Sequence, residues 1–250
     1  MKDSMIGLQE VGQDRKWIVL SLNRTKQLNA IGGELLEELR QQLERVAGME
    51  DAVGLIIGSA SAKAFSSGIN TAYVQGLSNE EAAAFFARIA DTLERISRFP
   101  YPTIAAVSGY ALGAGADLAL ACDFRIADAT ARFRFPGPQF GVVLGTQRLA
   151  HEVGPAAARR LALWSPFVDA EQALQCGLVH EIAGEGGAMA AALDRAEQLS
   201  RLPKHAMDQI RRICGPEAVG ESSAELARQS IREGDFQRNF ALYLESVRKK

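Results

Sequence analysis

Strand-like apolar runs alternate with amphipathic helical stretches through the first three quarters of this 250-residue chain, and no other feature restricts its fold as much. Residues 6–11 and 17–22 are apolar-rich and split by Gly-Gln-Asp-Arg, which predicts an opening hairpin. Residues 34–47 then place Leu35, Leu36, Leu39, Leu43 and Val46 on one helical face. Residues 53–58 read as a compact strand. Ser78 and Glu81 form a capping-box pattern ahead of Phe85, Phe86, Ile89, Leu93 and Ile96. Further strands are predicted at 103–107, 124–127 and 132–135, and helices at 147–153, 156–164 and 169–176, the last with Asp169 as N-cap. Strands alternating with helices imply an α/β fold with parallel pairing. From residue 187 onward only helical patterns remain, broken at Pro203 and at Gly215-Pro216. The expected organisation is a core over 1–186 and a helical region over 187–250.

Charge narrows the function classes. Lys and Arg number 28 against 30 Asp and Glu, a net charge of −2, with none of the cationic excess that nucleic acid or an anionic membrane would require. Cys122, Cys176 and Cys214 are far apart and form no CxxC pair, and His151, His180 and His205 are the only imidazoles, so no metal site is expected. No stretch approaches the roughly 18 unbroken apolar residues of a membrane span, and the first residues lack the apolar core of a secretion signal. A cytoplasmic protein is expected, in which the Asn23-Arg24-Thr25 sequon has no meaning.

Two segments carry the chemistry. Residues 63–70 (Lys-Ala-Phe-Ser-Ser-Gly-Ile-Asn) and 109–117 (Gly-Tyr-Ala-Leu-Gly-Ala-Gly-Ala-Asp) each lie between a strand and a helix. Small residues let a ligand approach the backbone, and the following helix aims N–H groups at it. A dinucleotide fingerprint would need a third glycine where Leu118 stands, and no Gly-Lys-Ser/Thr phosphate loop exists. One reading of these glycines is simple relief of helix packing. The other is a pair of N–H groups from separate loops, which would form an oxyanion hole. Spacing does not show whether the two loops meet.

In its ordered blocks the chain resembles the crotonase (enoyl-CoA hydratase/isomerase) family. Residues 23–30 (NRTKQLNA) look like the family's NRPxxxNA segment with Thr25 for Pro. Residues 65–70 look like FxxGAD with Ile69-Asn70 for Ala-Asp, and 109–117 look like GxxxGGGxE with Asp117 for Glu. GTQRL at 145–149, AEQALQCGLV at 170–179 and an EG-x-x-AF-like segment from Glu233 and Gly234 to Phe240 follow in order. The resemblance implies a crotonase-like ββα spiral core with a C-terminal helical region that assembles trimers or hexamers. It also implies an acyl-CoA substrate with no separate cofactor, and an oxyanion hole from the N–H groups of Ile69 and Ala114. By the same resemblance Asp117 is the catalytic acid or base. CoA and substrate contacts fall to Lys26, Gln27, Leu28, Ala30, Lys63, Ser67, Gly68, Asn70, Gly113 and Gly137.

The chain departs from a hydratase at one point of consequence. Hydratases of the family use two carboxylates. Where relatives place the second, this chain has Gly137, and the Asp that the naphthoate synthases carry slightly later corresponds to Leu144. The loop 141–145 also lacks a Pro-Gly-Ala-Gly insert. Tyr73, Gln139 and His151 are the polar candidates to replace the missing acid. Three expectations stay open: a hydratase or isomerase, a C–C bond hydrolase or decarboxylase using the same enolate, and a silent acyl-CoA binder.

Overall fold

The computed structural model describes residues 4–13, 15–214, 223–233 and 236–248. The hairpin is β1 (Ile6–Val11) and β2 (Lys16–Leu22), antiparallel with Ile6 opposite Leu22. Helix α1 (Gly33–Ala47) follows and buries the five residues that its periodicity selects. Next come β3 (Ala52–Ser59), β4 (Ala64–Ser66), α2 (Thr71–Gln75) and α3 (Asn79–Ser97). Both halves of the Ser78/Glu81 capping box form. The middle of the chain supplies β5 (Thr103–Val107), β6 (Tyr110–Leu112), α4 (Ala114–Leu120), β7 (Phe124–Asp128) and β8 (Arg132–Arg134).

A short 3-10 turn over Gly137–Phe140 leads to α5 (Thr146–Leu163). The two helices expected at 147–153 and 156–164 are its halves, joined through Gly154 at φ 77° with Pro155 behind it. Then come β9 (Val168–Asp169), α6 (Ala170–Gln175) under an Asp169/Gln172 capping box, and β10 (Glu181–Ala183). Among the described residues four helices follow: α7 (Ala188–Ser200), α8 (Lys204–Cys214), α9 (Ser223–Glu233) and α10 (Phe236–Arg248). The expected break at Gly215-Pro216 and Gly234 of the closing segment lie outside the described residues.

The strands sort into two sheets in a regular way. The larger has the order β1-β2-β3-β5-β7-β10 and the smaller β4-β6-β8-β9, all pairs parallel except β1/β2 and β8/β9. Thus β3, β5 and β7 enter the large sheet and the strand after each enters the small one. This is the repeating ββ step that the resemblance implies. The large sheet is buried on both faces, as parallel sheets are. Ile18, Leu20, Leu55 and Ile57 face the main core with α1 and α3, whereas Trp17, Val19, Ile56 and Ile104 face Ala188, Ala192 and Ala196 of α7. Phe236 and Phe240 of α10 and Ile231 of α9 are buried in the main core. No helix of the described residues is long and apolar enough to cross a membrane.

One buried ionic knot ties β7, α5 and the β10 approach together. The fully buried Arg125 donates to the carbonyls of Leu178 (2.7 Å) and Cys122 (2.8 Å) and to the Glu152 carboxylate. Its backbone N–H donates to His180 Nδ1 at 3.1 Å. Burial first, and then the Arg125 charge, pull the His180 pKa down to about 4. As pH falls below the ordinary value of 6.5, the unfolded chain takes up a proton that folded His180 refuses. Its contribution to stability, intact above that value, is therefore lost toward pH 4. Melting curves between pH 7 and pH 4.5 are expected to fall less steeply for His180→Asn than for the wild type. Parallel curves would disprove the assignment.

Candidate active site

Because β4, β6 and β8 are parallel neighbours, their C-terminal ends lie side by side, which is where ligands collect in parallel sheets. Three loops leave those ends: Ser67–Asn70 toward α2, Gly113 toward α4, and Phe135–Gly137 into the 3-10 turn. The two glycine-bearing loops, whose meeting spacing alone leaves open, do come together. A Cβ on Gly68, at φ +89°, would lie 2.6 Å from the Leu112 carbonyl oxygen and 3.7 Å from the Ala114 nitrogen. One on Gly115 would lie 2.6 Å from the Ser66 carbonyl oxygen. The third loop is tied to the second by Gly113 N–H donating to the Arg134 carbonyl at 2.8 Å.

The first loop is held from behind by residues 28–31. Ser67 N–H donates to Leu28 C=O, Ile31 N–H to Gly68 C=O, and Asn70 N–H to Ile31 C=O. That last pair is an isolated parallel bridge between Ile31 and Ile69. It engages the backbone on either side of Ile69 and turns the N–H of Ile69 to the opposite side. Asn29 locks the arrangement. It is fully buried at φ 53°, donates to Ser59 Oγ and Phe65 C=O, and its carbonyl accepts from Ser66 Oγ at 2.8 Å. Among the described residues neither Ile69 N–H nor Ala114 N–H has an acceptor. The Ala114 group is the first N–H of α4, which no helix can satisfy internally.

Ile69 and Ala114 both line a narrow cavity of about 90 Å³, room for a few water molecules. Its walls are otherwise mainly apolar, with Phe86, Phe140, Val142, Leu149 and Phe240 among them. Asp117 reaches it from the first turn of α4, and Gly145 lies so close that a Cβ there would overlap the carboxylate. No described residue donates a hydrogen bond to this carboxylate. Burial raises its pKa to about 7 against a smaller opposing pull from Arg148. Arg148, itself buried, donates to Glu94 at 3.3 Å.

Of the residues named from sequence, Ser67, Gly68, Ile69, Gly113, Ala114, Asp117 and Gly137 line this cavity. Lys26, Gln27, Leu28, Ala30 and Lys63 sit outside it, on the two adjoining segments behind the first loop, with Lys26, Gln27 and Lys63 exposed. The Asn70 side chain caps α2 by accepting from Tyr73 N–H. The polar candidates do not supply a second group at the cavity. Tyr73 packs edge-on against Phe85, Gln139 faces an outer groove, and His151 is exposed beside Glu152. None of them borders the cavity. The polar residues that do, and that sequence reasoning missed, are Thr71, Thr146 and Tyr243. Thr146 was visible inside the 145–149 block, whereas nothing local in the sequence connects Tyr243, more than a hundred residues beyond Asp117, to this place. Asn29 was overlooked inside the 23–30 block.

Residues 13–239 match the family model described as enoyl-CoA hydratase/isomerase. A crotonyl-CoA hydratase of Syntrophomonas wolfei is 36% identical over 173 residues, 68% of this chain and 66% of that protein. A short-chain-enoyl-CoA hydratase of Clostridium acetobutylicum is 30% identical over 190 residues, 75% of this chain and 73% of that one. The crystal structure of an enoyl-CoA hydratase from Bacillus anthracis superposes with a TM-score of 0.81 at 25% identity, covering 98% of this chain and 96% of its own.

Proposed function

Because this chain belongs to the enoyl-CoA hydratase/isomerase family, we propose that it binds an acyl-CoA thioester and stabilises the enolate formed from it. The observation that carries the reading is that two residues with unpartnered backbone N–H groups and one buried carboxyl line a single apolar cavity. The thioester oxygen takes the place between Ile69 N–H and Ala114 N–H, where the helix end adds positive potential. Asp117, ionised, takes the proton from the carbon next to the carbonyl, and the electron pair moves onto that oxygen. A pKa near 7 leaves Asp117 poised for transfer in either direction at neutral pH. The exposed lysines Lys26 and Lys63, on adjoining segments, supply cations for CoA phosphates.

One carboxyl suffices to move a double bond, because the proton taken from C2 of a 3-enoyl thioester returns at C4. Hydration requires water to be held and activated as well, and Gly137 offers no side chain for that. Isomerisation is therefore the better supported reaction within the family. Incubation with crotonyl-CoA and with a 3-enoyl-CoA tests it: turnover of the second should exceed that of the first and vanish in Asp117→Ala. Hydration of crotonyl-CoA as the faster reaction would overturn the preference. Failure to bind either thioester would overturn the assignment as a whole.

Installing the missing acid is expected to fail. A Cβ on Gly137 would stand 2.9 Å from the Val142 carbonyl oxygen, inside the turn closed by Val142 N–H on Gly137 C=O at 3.0 Å. Gly137→Glu should lower the melting temperature and leave crotonyl-CoA hydration within about threefold of the wild type, since a carboxyl misplaced by the turn transfers no proton. A tenfold gain in hydration would contradict this. Assembly into trimers or hexamers belongs to the same reading. The exposed apolar side chains of Leu163 and Trp164 support it, and light scattering on the purified chain tests it.

A further inference from the structure

One residue borders two different hollows. Tyr243, on α10, lines the narrow cavity that holds Asp117, and it also lines an outer groove formed by Arg134, Gln139, Phe167, Asn239, Leu242 and Val247. The groove is much the larger, about 580 Å³ against about 90 Å³. The ring is held edge-tilted against Phe140 at 5.1 Å and stacked near-parallel to Phe240 at 6.5 Å, and both partners line the inner cavity. Burial raises the pKa of its hydroxyl against the opposing charge of Arg134, so it stands neutral beside that guanidinium. Arg134 is itself fixed by Ser165, whose carbonyl and hydroxyl accept from its Nε, and it lies 5.1 Å from the Phe167 ring centre. The separation between the hollows therefore includes an aromatic side chain whose neighbours on both sides are anchored.

We propose that Tyr243 is the specificity-determining end wall of the acyl cavity, limiting the substrate to short acyl groups. This rests on the acyl-thioester reading above. With the carbonyl oxygen at Ile69 and Ala114 and the α-carbon beside Asp117, the rest of the acyl group extends among Phe86, Val142, Leu149 and Phe240. It then meets the Phe140–Phe240–Tyr243 cluster. Removing the ring joins the cavity to the groove, where Leu242, Val247 and Phe167 offer apolar surface to a longer chain. α10 thereby sets chain length without supplying any reacting group.

Binding of two saturated, unreactive ligands, butyryl-CoA and decanoyl-CoA, measured by titration calorimetry, tests this independently of the reaction catalysed. In Tyr243→Ala the affinity for decanoyl-CoA relative to butyryl-CoA should rise about tenfold or more over the wild-type ratio, the scale of a few methylenes gaining an apolar site. Tyr243→Leu, a gentler truncation that guards against loss of fold, should move the ratio the same way by less. Tyr243→Phe keeps the ring and should keep the wild-type ratio. An unchanged ratio in both truncations, with butyryl-CoA still bound, would overturn the wall and leave the acyl-thioester reading standing. A ratio shift in Tyr243→Phe equal to that in Tyr243→Ala would also overturn it, by assigning the effect to the hydroxyl. If the wild type binds neither thioester, both readings fall.

Discussion

Asp117→Asn is expected to be more stable than the wild type at pH 8 while turning over its thioester substrate about 10²–10⁴-fold more slowly, the range for loss of a positioned proton carrier. The two effects share one cause, because the carboxyl is buried among apolar groups and its pKa stands near 7 rather than 3.8. Between those values the unfolded chain has released the proton that the folded chain still holds. Stability therefore falls as pH rises through that window and stays lower above it. The full displacement, from 3.8 to about 7, corresponds to a ceiling on the order of 4 kcal/mol. A neutral amide in place of the carboxyl would carry no such cost, so the difference in melting temperature should be large at pH 8 and small near pH 4. The wild-type kcat/KM should rise with pH through about 7 if Asp117 acts as the base. Equal melting curves for the two proteins at pH 8 would refute the buried ionisation, whatever the kinetics.

Gly68→Ala should be nearly as damaging by a different route. At φ +89° an L side chain is strained, and its Cβ would also press on the Leu112 carbonyl at 2.6 Å, a main-chain atom that cannot swing aside. Strain of this kind costs about 1–3 kcal/mol when the fold tolerates it. Relief requires the Ser67–Asn70 loop to retreat from Gly113–Ala114, which separates the two N–H groups. Losing one oxyanion donor costs about 10²–10³ in kcat. Activity and thermal stability of the purified variant check both parts. A folded Gly68→Ala protein with near wild-type turnover would show that the loop contact does not position the donors.

The sequence was most readable where one stretch contained its whole reason for folding. Helix α3 carries its capping box and its buried stripe within twenty residues, and α6 carries Asp169 and Gln172 three apart. The strands β4, β6, β9 and β10 went unrecognised for the opposite reason. Each has two or three residues, too few for an alternation to show, and each exists because a distant segment pairs with it. Yet β4 and β6 deliver the site. The glycines at 68, 113 and 115 were visible as close approaches waiting for a partner, but the partner was set by sheet order. Tyr243 was hidden further still, since its role depends on where α10 comes to rest.

The bridge between Ile31 and Ile69 has a consequence for how this site can change over time. It fixes the direction of a main-chain N–H by engaging the backbone of Gly68 and Asn70, and it asks nothing of the side chain at 69. A scan that truncates side chains one at a time would therefore register Asp117 and miss the two main-chain N–H groups proposed to hold the substrate oxygen. The same indifference lets the side chain at position 69, which lines the cavity, change without turning that N–H. Within one lineage, substrate range could drift widely while the chemistry at the carbonyl is inherited unaltered.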